Sequence, residues 1–216
     1  MEIFYWILLI FGGFLLGSIM FCELIPKKLF KKSICEISVD NNPGAFNVFK
    51  HCGIKTGIPC MCLDILKGLI PVLIASCLMN VNSFAFSLVL VAPVLGHAVG
   101  LFNKFHGGKC VAVSFGVMFG LIPVTRIGIV TLAVLYILFS TLLRIRSASR
   151  RSLVVYALFA IMVCPVLCVL KLPFVSIGCG TVAFIPVFKF IFSKNGLVEN
   201  NYYDSSLIND HINKGN

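Results

Sequence analysis

Long apolar runs separated by short polar ones recur along this chain, and their spacing predicts helices of membrane-crossing length. A crossing takes about 20 apolar residues. The first run, Ile3 to Ile25, is that long and carries Glu23 near its end. A polar segment from Pro26 to Lys55 follows. Six further runs cover Thr56 to Met79, Phe84 to Leu101, Val111 to Val124, Ile127 to Leu143, Leu153 to Leu170 and Pro173 to Phe192. This pattern predicts an all-α integral membrane protein, a bundle of about seven transmembrane helices with a short fourth crossing. Pro59, Pro71, Pro93, Pro123, Pro165 and Pro186 fall in or beside the runs, which membrane helices tolerate when neighbours satisfy the freed carbonyls. After Lys194 the chain turns polar, with six asparagines before its end. The expected organisation is one membrane domain over residues 1–194 and a mobile cytoplasmic tail over 195–216.

Composition agrees: 59% of the 216 residues are hydrophobic, 12% are charged and the mean hydropathy is +1.01, outside the balance of soluble domains. A formal charge of +10 raises the question of nucleic acid, but the basic residues are parted by apolar segments, so anionic membrane lipids and an anionic substrate suit them better. With seven crossings, one side receives Lys27, Lys28, Lys31, Lys32, Lys50, Lys55, Lys104, Lys109, Arg144, Arg146, Arg150, Arg151, Lys189, Lys194 and Lys214, fifteen of the 18 basic residues. Arg126 and Lys171 fall opposite, and Lys67 lies inside a span. The positive-inside rule then puts the N-terminus outside and the C-terminus in the cytoplasm. Most of the ten cysteines lie inside apolar runs, where cysteine acts as a small hydrophobe. No paired Cys and His spacing suggests a metal.

Chemistry concentrates between Gly96 and Ser114, where His97, Lys104, His106 and the turn Gly107-Gly108-Lys109 sit between two apolar runs. Adjacent glycines reach backbone conformations closed to other residues and leave main-chain amides open to a ligand; the lysine adds a point charge. Such a turn fits an anion cradle or a flexible basic loop. Two other connections on the same side carry anion-binding groups: Asn42, Gly44, Asn47 and Lys50 in one, Arg144 and Ser147 in the other. Asp64 and Lys67, one turn apart within a span, can pair on one helix face, either as a functional pair or as a structural one. His97 is open to the same two readings.

Four separate blocks resemble one family. Gly17-Ser18-Ile19-Met20-Phe21, then Asn42 to Lys50, then Leu63-Asp64-Ile65-Leu66-Lys67-Gly68, then Gly96-His97 with Phe102, Phe105 and Gly107-Gly108-Lys109 look like the acyl-phosphate-dependent glycerol-3-phosphate acyltransferases, the PlsY type. The resemblance covers roughly residues 5 to 192. It implies a bacterial inner-membrane enzyme that moves an acyl group from acyl phosphate to the 1-hydroxyl of glycerol 3-phosphate, giving lysophosphatidate, without metal or other cofactor. It also implies a substrate site on Asn42, Gly44, Asn47, Lys50, Gly107, Gly108, Lys109, Arg144 and Ser147, with Asp64, Lys67, His97 and His106 in support.

The likeness breaks at particular residues. The family's first motif reads Ser-Gly-Asn-x-Gly-Ala-Thr-Asn and then a basic residue; here Asp40 stands at the serine, Asn41 at the glycine, Phe46 at the threonine and Lys50 at a usual arginine. In the second motif Gly100 replaces a proline, His106 a lysine and Cys110 a glycine. Near the end of the last run, Phe190 and Ser193 stand where the family has a His and an Asn. An aspartate at position 40 opposes an approaching phosphate unless it pairs with a lysine.

Overall fold

A computed structural model describes residues 2–145 and 147–192. Arg146, Ser193, Lys194 and the expected tail 195–216 lie outside the described residues. The described residues form helices joined by short connections: α1 Glu2–Gly17, α2 Phe21–Phe30, α3 Ile34–Ile37, α4 Ala45–Cys52, α5 Ile54–Leu78, α6 Phe84–Val99, α7 Val111–Gly120, α8 Ile127–Ile137 with a π turn at Leu138–Leu142, α9 Ala148–Val169 and α10 Pro173–Phe192. Among the described residues, four helices are long and apolar enough to cross a membrane singly: α5, α6 with its 3-10 extension, α9 and α10.

Each predicted run contains a helix, but three runs differ from continuous crossings. The first breaks at residues 18–20, and α1 and α2 meet at 43°. The break has an identifiable support. Lys67 Nζ donates to the Ile19 carbonyl at 2.6 Å, Ser18 Oγ to Phe14 O at 2.9 Å, and the Lys67 ammonium lies 5.7 Å from the Phe21 ring centroid. In hydrocarbon a freed carbonyl without a donor would cost several kcal/mol. The fourth run forms only the ten residues of α7, about 15 Å long at 1.5 Å per residue, half the bilayer core. The fifth ends in the π turn. The polar segment from Pro26 to Lys55 is itself folded, carrying the end of α2, then α3 and α4, with the Glu23 carboxylate accepting from Cys35 N at 3.0 Å.

Packing pairs α5 with α7, α9 with α10, and α6 with both α1 and α10. Small residues allow the closest crossings: a methyl group at Gly68 would strike the Val113 carbonyl of α7, and one at Gly116 the Ile65 carbonyl of α5. Helices without a hydrophobic drive between them associate through such close backbone contact. Phe86, Leu90, Val117, Met118, Tyr156 and Phe159 fill the core between these pairs. Large apolar side chains cover the outside, as lipid-facing surfaces require. The consequence for the site is that α4, the 100–110 connection and the start of α9 are brought together over one end of the α5–α7 pair.

Candidate functional site

The site is built around Asp40. Its Oδ2 lies 2.6 Å from Lys109 Nζ, and its Oδ1 accepts from Asn47 Nδ2 at 2.8 Å and from Asn42 N at 3.4 Å. Asn42 closes the ring: its Oδ1 accepts from Lys109 N at 3.1 Å and its carbonyl accepts from Asn47 Nδ2 at 2.8 Å. The aspartate that opposes a phosphate is therefore paired with the lysine of the Gly-Gly-Lys turn, 69 residues away.

Two cavities meet at this ring. The larger, about 470 Å³, has apolar walls from Phe46, Phe49, Met61, Ile65, Phe115 and Tyr136, with Lys50, Asp64, His97 and Arg151 among its polar members. The smaller, about 200 Å³, is lined by His106, Gly107, Gly108, Ser149, Lys189 and Phe190. Asp40, Asn42, Lys109 and Ser152 line both. An apolar chamber joined to a polar one through charged groups can hold an amphiphile and a small anion with their reactive ends together.

The predicted residues divide accordingly. Asn42, Gly44, Asn47, Lys50 and Lys109 line the larger cavity, and Gly107, Gly108 and His106 the smaller. Arg144 and Ser147 line neither. Arg144 is exposed and its Nε donates to Thr141 O at 3.2 Å; Ser147 caps α9, accepting from Arg150 N at 3.3 Å. In these two cavities the α9 lining comes from Ser149, Arg151 and Ser152, just beyond the Ser147 cap. The glycine reading also changes. Gly107 and Gly108 are not in the left-handed region, which Gly100, Lys104, Phe105 and Cys110 occupy. They are small for want of room: a methyl group on Gly107 would strike the Ala98 carbonyl, and one on Gly108 the His97 ring. Gly108 N donates to His97 O at 3.0 Å, so this amide is turned inward and is not the phosphate donor expected of it.

Asp64 and Lys67 are 1–2% exposed and 2.8 Å apart, with Cys22 Sγ 3.1 Å from Asp64 Oδ2. Their place at the α1–α2 break makes Lys67 a strut. His97 is buried on α6, and His106 is exposed with Nδ1 2.9 Å from Lys104 O. Sequence reasoning missed Tyr136, Arg151, Ser152 and Lys189 as lining residues. Arg151 stacks on Tyr136 at 5.5 Å and donates to Ile145 O at 3.1 Å. Lys189 had counted only toward topology, although a lysine inside an apolar run was a signal.

The family model described as glycerol-3-phosphate acyltransferase matches residues 7–195. The chain belongs to the glycerol-3-phosphate acyltransferase family. The glycerol-3-phosphate acyltransferase of Lactococcus lactis subsp. lactis (strain IL1403) is 33% identical over 159 residues, covering 74% of this chain and 72% of that protein. The one from Maridesulfovibrio salexigens is 38% identical over 121 residues, covering 55% and 60%. The crystal structure of PlsY, an integral membrane glycerol 3-phosphate acyltransferase, superposes with a TM-score of 0.75 in its glycerol 3-phosphate form and 0.72 in its lysophosphatidic acid form, at 30% identity, covering 90% of this chain and 92% of that one. The similarity thus reaches beyond the four blocks to 90% of this chain.

Proposed function

We propose that this acyltransferase moves an acyl group from acyl phosphate to the 1-hydroxyl of glycerol 3-phosphate, releasing inorganic phosphate and giving lysophosphatidate. The observation that carries the reading is the junction of the two cavities at Asp40, Asn42, Lys109 and Ser152. The acyl chain occupies the larger, apolar chamber and glycerol 3-phosphate the smaller, polar one, so that hydroxyl and acyl carbonyl meet at the shared wall. An acyl phosphate is already activated. The protein has chiefly to hold two anions in attack geometry and offset their repulsion with fixed donors. Lys50 and Arg151 on the apolar side and Lys109 between the chambers supply positive charge, and Asn42 and Asn47 fix the lysine's partner.

The same reading places the chain in the bacterial inner membrane with seven crossings, α7 completing the fourth as a short helix. The N-terminus is outside, and the site opens to the cytoplasm, where glycerol 3-phosphate is dissolved and anionic lipids meet the basic connections. Reporter fusions at the two termini test the orientation. Purified protein given palmitoyl phosphate and labelled glycerol 3-phosphate tests the reaction: labelled lysophosphatidate is expected, lost on Lys109→Ala. Binding of either substrate without product would mean a scaffold that keeps the fold and has lost the chemistry.

A further inference from the structure

We infer that Lys189 is the cation that receives the phosphate of the small anion in the polar cavity, a task Lys109 is hindered from doing alone because its charge faces Asp40. The identity of that anion, glycerol 3-phosphate, rests on the acyltransferase reading; the anion site itself does not. Lys189 lies in the last turn of α10, inside an apolar run, and lines the 200 Å³ cavity. Its Nζ donates to Ala98 O at 2.7 Å. An ammonium carries three donors, so two remain after this bond.

Charge balance singles the residue out. Two lysines line the polar cavity, Lys109 and Lys189. Lys109 sits 2.6 Å from Asp40, whereas among the described residues Lys189 is in no ion pair. Two amides of the turn are already engaged within the fold, Gly108 N on His97 O and Lys109 N on Asn42 Oδ1, so charged side chains carry most of the binding. Phe190, in the same wall, offers no polar atom. A dianion entering beside Asp40 meets one carboxylate and two ammonium groups, and it is the second ammonium that makes the sum favourable.

Lys189 also satisfies a carbonyl near the C-terminal end of α6, where a cation is favoured by the helix dipole. A lysine with only that task would affect stability and leave substrate affinity alone, so the test separates the two. In the full chain in detergent, Lys189→Met is expected to raise KM for glycerol 3-phosphate about tenfold or more, the usual size of a charge-assisted contact, with KM for acyl phosphate nearly unchanged. Lys189→Arg is expected to retain most of the affinity. Adding Asp40→Asn to Lys189→Met is expected to restore glycerol 3-phosphate affinity in part, because it releases Lys109. A KM for glycerol 3-phosphate within twofold of wild type in Lys189→Met, or no recovery in the double variant, overturns the assignment. Should Lys189→Met not fold, Lys189→Gln decides: a KM for glycerol 3-phosphate raised about tenfold supports it, and one within twofold of wild type overturns it. If the wild-type chain makes no lysophosphatidate, the acyltransferase reading fails by itself. The site is then judged by protection against thermal unfolding. Glycerol 3-phosphate protecting wild type but not Lys189→Met supports the assignment; equal protection, or none in wild type, removes it.

Discussion

Replacing Lys67 by methionine tests whether the α1–α2 break depends on one buried ammonium. In the native chain Lys67 touches Asp64 at 2.8 Å and the Ile19 carbonyl at 2.6 Å, and both charged side chains are at most 2% exposed. Methionine fills similar volume without charge. The abandoned Asp64 must then be protonated to remain buried, which for a carboxylate of ordinary acidity costs about 4 kcal/mol at pH 7. That agrees with the 3–5 kcal/mol typical of removing one partner from a buried pair. Loss of the donor to Ile19 adds about 1–3 kcal/mol. A total of about 5–7 kcal/mol is a large part of the 5–15 kcal/mol that holds most folds. Lys67→Met combined with Asp64→Leu removes the stranded charge and leaves only the carbonyl, so the double variant is expected to be the more stable of the two, by about 2–4 kcal/mol. Thermal unfolding of the detergent-solubilised chains measures each of these. A single variant within about 0.5 kcal/mol of wild type, well under a buried-pair loss, or a double variant below the single, would refute the strut and return Lys67 to the functional candidates.

Three further outcomes follow from particular contacts. Gly107→Ala drives a methyl group into the Ala98 carbonyl, so acyl transfer should fall by at least a hundredfold and thermal stability should drop with it, whereas Gly12→Ala, with open space around it, should leave both near wild type. Ser147→Ala removes the cap of α9 and should cost about 1 kcal/mol of stability while leaving KM for both substrates within about twofold, in contrast to Lys109→Ala. The Cys35 thiol, outside the spans, is pushed up to about 12 by burial, with Glu23 beside it adding to the rise. It stays protonated at pH 8, so alkylation by iodoacetamide should be slow there and speed up only as pH climbs toward that value, and mass spectrometry of the labelled chain reads this directly.

Much of the membrane part was legible because hydrocarbon imposes a length and a composition on any segment that enters it. The runs at Thr56 to Met79, Phe84 to Leu101, Leu153 to Leu170 and Pro173 to Phe192 all became long helices, α5, α6, α9 and α10. The Asn42 to Lys50 and Gly107 to Lys109 blocks also carried their chemistry openly: Lys50 and Lys109 line one cavity, although 59 positions separate them in the chain. Where the reading failed, the deciding contact came from another element. Nothing local says that the first run breaks after Gly17, because the break depends on a lysine 48 residues later. Nothing in the spacing of Arg144 and Ser147 says that they miss the cavities while Arg151 and Ser152 reach them, since a helix turn of one or two residues' difference decides which way each side chain points.

Hydrophobic length and the scarcity of charge within the long runs thus determined, from the chain alone, that this protein is helical and belongs in a bilayer. Those properties follow from transfer free energies that each segment meets individually. Tertiary packing alone decided that Asp40 rests against Lys109, that the Gly108 amide faces His97 and that Lys189 enters the polar cavity. Each of these depends on distances between residues far apart in the chain, and pairing at a few ångströms is a property of the folded arrangement that no segment carries by itself.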